Sequence, residues 1–314
     1  YHAEGGEGMK RKIVALMLIG CMTASMTAFA EESTEGATEG ATEAGTEAAA
    51  DFSDVETVAE GKLTVATSPD FAPYEFYAID EDGTPSLAGF DIALAQYIAD
   101  YMGLELEVVT VDFDGVLTEL QTKSVDLGMA GLSPDPAREA IMDFSDIYYE
   151  GGQSLVTVKD NADKYNSFDA VNNSDVSVGA QTGSIQLDLA NENTPDADII
   201  SLPKVTDIIA ELLAGKLDAA YIETAVAESY QKNYPDLEIV MDVPYDVKGS
   251  SIGVCKDNEG LMKAVNAAIA AAKEDGSLED FIAEANALAA GEKYEGLLDD
   301  NGEAAEASTE AVTE

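Results

Sequence analysis

The stretch FDGVLTELQTKSVDLGMAGLSPDPAREAIMDFSDIYYEGG, residues 113–152, contains one complete unit of the pattern that decides the fold. Its apolar spacing predicts a helix over 115–122 followed by a buried strand over 125–130. The strand leads into AGLSPDPAR, residues 130–138, a segment rich in turn-forming residues. The stretch ends on Tyr149-Glu150-Gly151-Gly152, where two glycines permit a large change of backbone direction. This alternation of helix and strand is typical of an α/β protein.

The same alternation continues on both sides of this stretch, over residues 61–294. It predicts further strands over 63–66, 104–110, 153–158, 176–179, 199–202, 219–222, 239–241 and 251–255, and further helices over 91–102, 184–191, 205–214, 224–233, 260–275 and 278–290. Gly103 and Gly215 stand where the end of a helix requires a left-handed residue.

A second irregular segment, Tyr245-Asp246-Val247-Lys248-Gly249, also joins two predicted strands. If both irregular segments are crossovers, lobe one contains 61–151 plus 248–294 and lobe two contains 152–247. The predicted fold is then two α/β lobes joined by a two-strand hinge, with a ligand cleft between them. Two unrelated surface loops explain the same glycines, and the spacing alone leaves both interpretations open.

The composition excludes several classes of function. The 314 residues include 16 Lys and Arg against 62 Asp and Glu, a formal net charge of −46. Nucleic acid is therefore not expected as a partner, because phosphate binding needs clustered basic residues. The single histidine, His2, lies in a Gly- and Glu-rich start. If the mature protein lacks that start, His-dependent triads and His-ligated metal sites are excluded, and we expect neither a metal nor a cofactor.

Residues 1–30 read as a leader and an export signal. Lys10-Arg11-Lys12 precede an apolar run, and two cleavage patterns compete after it. Leu18-Ile19-Gly20-Cys21 fits a lipobox in which Cys21 carries the lipid, whereas Ala28-Phe29-Ala30 fits ordinary cleavage. The second is favoured because the acidic chain starts directly after Ala30. Both predict an extracytoplasmic protein. Cys255 then has no disulfide partner and is expected to be a buried thiol.

Two acidic segments flank the body. Residues 31–60 begin with a repeat of Thr, Glu, Gly and Ala, and residues 295–314 have the same character. Such segments lack the apolar area that would offset the entropy of ordering, so we predict a disordered linker and a disordered tail.

Three polar segments follow predicted strands and are candidates for ligand contact. Arg138 offers a planar fork suited to a carboxylate, with the hydroxyl of Ser133 nearby in sequence, although a structural ion pair is an alternative. Gln181-Thr182-Gly183-Ser184 opens a helix and suits an anion, but a plain N-cap by Ser184 fits equally. Glu223 ends a strand where it can bind an ammonium or favour the next helix dipole.

Aromatic residues lie in turn-rich segments of the body. Phe71, Tyr74 and Phe113 can wall a ligand there, including a cation held over a ring face, although core packing is the simpler explanation for each one alone.

Taken together, the motifs resemble the solute-binding proteins of polar amino-acid ABC transporters, which have the periplasmic-binding-protein type II fold. The resemblance runs from about Lys62 to Leu288. The motifs on which the resemblance rests are TVATSPDFAPYEF (64–76), GFDIALAQYIA (89–99), the stretch 113–152 quoted above, VGAQTGS (178–184) and GKLDAAYIETAVAESY (215–230).

The resemblance implies a role for individual residues in binding a free amino acid. Arg138, helped by Ser133, matches the clamp on the α-carboxylate, which the segment 182–184 also meets. Glu223 and the carbonyl of Gly131 match the site of the α-ammonium. The resemblance further implies that Phe71 and Phe113 sandwich the ligand side chain, that Gln181 joins on closure, and that Ser68 replaces an Asp of several relatives.

The function implied is that of an extracytoplasmic receptor that captures a polar amino acid and delivers it to an ABC transporter permease. We expect a monomer that is not an enzyme and that meets the membrane only through the permease or a lipid on Cys21. Two alternatives remain open at this stage, a dehydratase of cyclic dienyl acids with Glu223 as general acid, and a sensory or adhesive module. The sequence does not identify the amino acid.

Overall fold

The computed structural model describes residues 52, 54–79, 83–247 and 249–291. The strands are β1 Lys62–Thr67, β2 Asp70–Phe71, β3 Glu75–Ile79, β4 Pro85–Ala88, β5 Glu105–Thr110, β6 Leu127–Gly128, β7 Met142–Phe144, β8 Gln153–Val158, β9 Ser177–Gln181, β10 Asp198–Leu202, β11 Ala219–Glu223, β12 Leu237–Val243 and β13 Gly253–Cys255. The helices are α1 Phe90–Met102, α2 Phe113–Gln121, α3 Phe168–Val171, α4 Ile185–Asn193, α5 Val205–Leu213, α6 Thr224–Asn233, α7 Glu259–Glu274 and α8 Ser277–Ala289.

Two five-stranded sheets form the centres of two α/β lobes. The first has the order β5-β1-β6-β13-β7, and the second has the order β10-β9-β11-β8-β12. In each sheet the first three strands are parallel to one another, whereas β13 in the first and β8 in the second run antiparallel to both of their neighbours. The parallel strands β1, β9 and β11 are almost wholly buried, as expected for strands with helices on both faces. A small antiparallel sheet, β2-β3-β4, is attached to the first lobe.

The chain passes between the lobes twice. It leaves the first sheet after β7 to enter β8, and it returns from β12 to β13. The two passing segments touch at an antiparallel bridge between Tyr149 and Ser250. The prediction of two α/β lobes joined by two strands is therefore confirmed. The boundaries 61–151 plus 248–294 and 152–247 remain our assignment, and Lys248 lies outside the described residues.

Every predicted helix and strand has a counterpart, but the strand predicted over 125–130 is paired as β6 only at Leu127–Gly128. Its flanks still bond to β1, because Asp126 N–H donates to the Thr64 carbonyl and Met129 N–H to the Ala66 carbonyl. The sequence analysis missed β2, β3, β4, β7 and α3. In the small sheet the reason is chemical, since its strands carry buried carboxylates that interrupt the apolar alternation on which such predictions depend.

The ordered body begins before residue 61, within the segment predicted as linker 31–60. The Phe52 ring meets Tyr101 edge-on with centroids 5.6 Å apart, and Val58 N–H donates to Asp126 Oδ1 at 2.7 Å. These apolar and hydrogen-bonding contacts offset the entropy of ordering this segment. The leader with Cys21, the rest of the linker and the tail 295–314 lie outside the described residues.

Cys255 is buried, as the sequence predicted, and the other cysteine, Cys21, lies outside the described residues. Across residues 52, 54–79, 83–247 and 249–291, no helix combines the length and the apolar character needed to cross a membrane.

Candidate ligand-binding site

The predicted site residues come from the carboxyl ends of strands in both lobes. Ser68 follows β1, Gly131 and Ser133 follow β6, Gln181 ends β9 and Glu223 ends β11. In an α/β sheet this edge is where ligands bind, because the loops that follow parallel strands converge there.

Arg138 is a buried guanidinium that faces the second lobe. Its side chain is 8% exposed. Nη1 donates to the Ser133 carbonyl at 3.4 Å, and Nη2 donates to the Gly183 carbonyl at 3.1 Å across the cleft. Its guanidinium carbon lies 5.6 Å from the centre of the Phe113 ring.

Among the described residues, no carboxylate lies within 4.0 Å of this guanidinium. Burial lowers its pKa from the ordinary value, although the nearby Asp135 opposes that shift. Two carbonyl acceptors use only part of the five N–H donors of an arginine, so this group can bind an anion such as a carboxylate. The structural ion pair considered from the sequence is absent here.

Glu223 is the complementary charge at the other side of the site. It is 3% exposed, its Oε2 accepts a hydrogen bond from Val226 N–H at 2.9 Å, and its Oε1 has no hydrogen-bond partner among the described residues. Burial raises the pKa of this carboxyl to about 7, and the Val226 N–H partly opposes the rise. Glu223 therefore caps helix α6 with one oxygen, while its Oε1 makes none of the hydrogen bonds found among the described residues.

Because Gly151 has no side chain, the Glu223 carboxylate can lie directly against it. A Cβ atom at this position would lie 2.5 Å from Glu223 Oε1 and 3.3 Å from the Tyr74 hydroxyl. The glycine at the crossover therefore permits the close approach of chain and carboxylate, a role in addition to its backbone freedom.

The segment Gln181–Ser184 makes hydrogen bonds that stabilise the fold and one hydrogen bond with Arg138. Ser184 Oγ accepts from Leu187 N–H at 3.2 Å and donates to the Gln181 carbonyl at 2.7 Å, so it is the N-cap of α4. The hydroxyl of Thr182 pairs with that of Ser201 at 2.6 Å, on an exposed surface. Only Gly183, through its carbonyl, meets Arg138.

The two aromatic residues predicted to sandwich a ligand are each 7% exposed. The Phe113 ring lies under the Arg138 guanidinium. The Phe71 ring centre is 5.3 Å from that of the fully buried Tyr74, and its edge lies against Gly131. Phe113 thus lies beside Arg138, and Phe71 lies beside Gly131.

The backbone of Gly131 is held by Asp91, a buried acid that the sequence analysis missed. Asp91 is fully buried, and its Oδ2 accepts from Gly131 N–H at 3.1 Å while Oδ1 accepts from the Tyr148 hydroxyl at 2.6 Å. Glu75 lies fully buried beside it, and burial together with the charge of Asp91 raises the pKa of Glu75 well above its usual range. Asp91 thus holds the N–H of Gly131, whose left-handed backbone has a φ of 56°.

Asp70 is a further missed residue, and it connects the lobes. Its Oδ1 accepts from the Ser68 hydroxyl at 2.8 Å, and its Oδ2 accepts from Gln181 Nε2 at 3.2 Å and from Val205 N–H at the start of α5. Burial raises its pKa to about 6. A lone Asp in a Pro-rich turn gives no sign of burial, so only its three-dimensional surroundings could have identified it.

Ser68 and Asp70 also line a cavity of about 510 Å³ between the lobes. Asp112 and Lys204 stand at its walls, and both side chains are exposed. In the ranges that the structure describes, no group of three or more His, Cys, Asp or Glu residues is arranged to hold a metal ion.

Comparison with known proteins gives a consistent result. Residues 63–284 match the family model described as bacterial extracellular solute-binding proteins, family 3. The arginine-binding extracellular protein ArtP of Bacillus subtilis is 34% identical over 222 residues, which cover 69% of this chain and 83% of ArtP.

Two solved structures extend the comparison. The amino acid ABC transporter substrate-binding protein AbpA of Streptococcus pneumoniae, solved with bound L-arginine, superposes with a TM-score of 0.71 at 35% identity, covering 74% of this chain and 98% of AbpA. The ancestral amino-acid-binding protein AncCDT-1, described as a precursor of cyclohexadienyl dehydratase, gives a TM-score of 0.64 at 32% identity, covering 71% of this chain and 95% of its own.

Proposed function

The chain belongs to the bacterial extracellular solute-binding proteins of family 3, and from this membership we propose that it captures a free polar amino acid outside the cytoplasm and delivers it to an ABC importer. We further infer a monomer that acts with a membrane permease, either released or held by a lipid on Cys21.

One observation carries the proposal. Arg138 and Glu223 have opposite charges, both are more than nine-tenths buried, and neither has an oppositely charged partner among the described residues. A buried charge without a partner costs several kcal/mol, so the arrangement is stabilised by a ligand that supplies both missing charges. The carboxylate and ammonium of a free amino acid are such a pair.

The lobes hold these charges through contacts that depend on closure. Arg138 of the first lobe donates to Gly183 of the second, and Asp70 accepts from Val205 N–H across the same gap. In an open form these contacts across the gap would be lost. A ligand that bridges the lobes therefore favours the closed form, because it interacts differently with the two states.

The test is calorimetric titration of the protein with each of the twenty amino acids, followed by the variant Arg138→Ala with the best ligand. Loss of the guanidinium is expected to weaken binding by at least about tenfold. Lys263→Ala is a matched control, since it removes an equal charge from the exposed face of α7. Unchanged affinity in Arg138→Ala would contradict the proposed carboxylate clamp.

A second candidate is a dehydratase of cyclic dienyl acids, because AncCDT-1, itself an amino-acid-binding protein, is described as a precursor of such an enzyme. Glu223, with a pKa of about 7, has the protonation behaviour of a general acid at neutral pH. Incubation with prephenate or arogenate, followed by ultraviolet absorbance of an aromatic product, separates this activity from reversible binding. Product formation that is lost in Glu223→Gln would establish the enzyme, and no product together with amino-acid binding would support the receptor.

A further inference from the structure

We propose that Asp70 of the first lobe is a positioning residue that holds the second lobe closed over the ligand, because it supplies from across the cleft the N-terminal cap that helix α5 does not provide for itself. The inference rests on the proposed function and goes beyond it, since Asp70 would set the affinity for every ligand without touching any of them.

The N-terminus of α5 lacks a cap from its own segment of the chain. Its N-cap residue is Lys204, and an ammonium has no acceptor to offer to the first N–H groups of a helix. Two other helices of the second lobe differ in this respect. Ser184 caps α4 and Glu223 caps α6, each through a side-chain oxygen that accepts from a backbone N–H in the first turn. The acceptor for α5 therefore has to come from elsewhere.

Asp70 provides that acceptor from the first lobe. Its Oδ2 accepts from the N–H of Val205, the first helical residue of α5, and from Gln181 Nε2 at 3.2 Å. Tyr230 of α6 adds a further bond, because its hydroxyl donates to the Asp70 carbonyl at 3.2 Å. Three elements of the second lobe are thus hydrogen-bonded to this one residue, which is only 7% exposed.

Asp70 itself is fixed within the first lobe. The hydroxyl of Ser68 donates to its Oδ1 at 2.8 Å, its own N–H donates to the Ser68 carbonyl at 2.8 Å, and its strand β2 pairs with β3. Asp70 therefore stays with the first lobe when the lobes separate, and the bonds to Val205, Gln181 and Tyr230 are broken.

The bond between Asp70 and Val205 is charge-assisted under ordinary conditions. Burial raises the pKa of Asp70 to about 6, so the carboxyl is ionised at pH 8. A hydrogen bond to an ionised acceptor contributes more than a bond between neutral groups. The closed form gains this contribution whichever amino acid is bound, so the contact slows the release of every ligand.

The variant Val205→Pro isolates this bond. Proline is tolerated at the first helical position, because the N–H of that residue is not used within the helix. Lys204, which precedes it, has a φ of −119° and a ψ of 138°, the extended backbone that a residue before proline adopts. Val205→Pro therefore removes the donor and keeps the helix, whereas Asp70→Ala removes the acceptor.

The experiment measures dissociation constants by calorimetry and dissociation rates by stopped-flow tyrosine fluorescence, at pH 8, for the three amino acids that bind the wild type most tightly. In Asp70→Ala each dissociation constant should rise about tenfold or more, by the same factor for all three ligands and through faster dissociation. Val205→Pro should change the constants in the same direction. The double variant should bind no more weakly than Asp70→Ala, because both substitutions break the same contact.

The variant Asp169→Ala is a matched control. It removes an exposed carboxylate from the first turn of α3, also in the second lobe, and should leave the dissociation constants at their wild-type values. An equal loss of affinity in this control would show that the general charge of the lobe is responsible, and the inference would fail.

Unchanged affinity in a folded Asp70→Ala overturns the inference and leaves the proposed function intact. A loss that differs clearly between the three ligands also overturns it, because Asp70 would then contact the ligand side chain, and so does a double variant whose losses simply add. If Asp70→Ala fails to fold, the dissociation rates of Val205→Pro decide, and unchanged rates reject the inference. A wild type that binds no amino acid would instead contradict the proposed function, and this inference with it.

Discussion

Raising the pH from 6 to 8 is expected to tighten amino-acid binding about tenfold through the ionisation of Glu223. Without ligand, burial holds the pKa of this carboxyl at about 7. The ammonium of a bound amino acid favours the charged form, so binding lowers the pKa of Glu223 and releases a proton. The observed dissociation constant is then proportional to 1 + 10^(pKa − pH), where the pKa is that of Glu223 without ligand. This factor is about 11 at pH 6, about 2 at pH 7 and about 1.1 at pH 8.

Other titratable groups near Glu223 have little effect on the pH dependence of binding above pH 6.5. The hydroxyls of Tyr74 and Tyr149 are close to Glu223, and burial raises the pKa of both above the usual tyrosine range, so they stay protonated up to pH 8. Asp70 and Asp91 have pKa values of about 6 and contribute mainly at the lower end. The change in the dissociation constant between pH 6.5 and 8 therefore reports on the ionisation of Glu223.

The assay is isothermal titration at four pH values, repeated in two buffers with different enthalpies of ionisation to count the released protons. At pH 6 the wild type should release close to one proton per ligand, and at pH 8 almost none. In Glu223→Gln the pH dependence between 6.5 and 8 should disappear, and binding at pH 8 should weaken. A wild-type affinity that is flat between pH 6.5 and 8, or a slope that survives in Glu223→Gln, would refute the assignment of Glu223 to the ammonium.

Three further outcomes are expected. Without ligand, Glu223→Gln should raise the free energy of unfolding at pH 8, measured in urea, by up to about 3 kcal/mol. The pKa of Glu223 is higher in the folded state than its unfolded value of 4.5, so the wild type loses stability as the pH rises from about 4.5 to 7. Equal wild-type stability at pH 5 and pH 8 would argue against this. Gly151→Ala should weaken amino-acid binding by calorimetry while the melting temperature changes little, since its methyl group would lie 2.5 Å from Glu223 Oε1, and normal binding would show that this approach is not needed. Gly89→Ala should lower the melting temperature by several degrees, because its φ is 121° and a methyl group would overlap the Tyr74 carbonyl; an unchanged melting temperature would show that the backbone relaxes there.

The regular part of the fold could be predicted from local patterns. Helices such as α1 and α7 repeat their apolar residues at helical spacing, and strands such as β8 and β11 are short apolar runs between turn signals. Both αL residues that were expected after helices, Gly103 and Gly215, have φ values of 69°. The small sheet β2-β3-β4 was missed because its buried charges have partners that lie far away in the sequence.

The candidate site was predicted unevenly for a related reason. Arg138 and Glu223 were named because they match family motifs, and their ligand-binding role remains our proposal. Asp70 and Asp91 were not named as site residues, although they bond to Gln181 and Gly131, respectively. A carboxylate in a loop reads as a solvated charge until its burial and its donors are known.

The sequence by itself determined the α/β class and the order of the main elements, because periodicity, turn chemistry and glycine act over a few neighbouring residues. Its spacing left open whether the two irregular segments are crossovers between lobes. Only the tertiary structure decided which charges are buried and unpaired. Burial and pairing join residues such as Asp70 and Val205, which are separated by 135 positions in the chain, and no local pattern contains that contact.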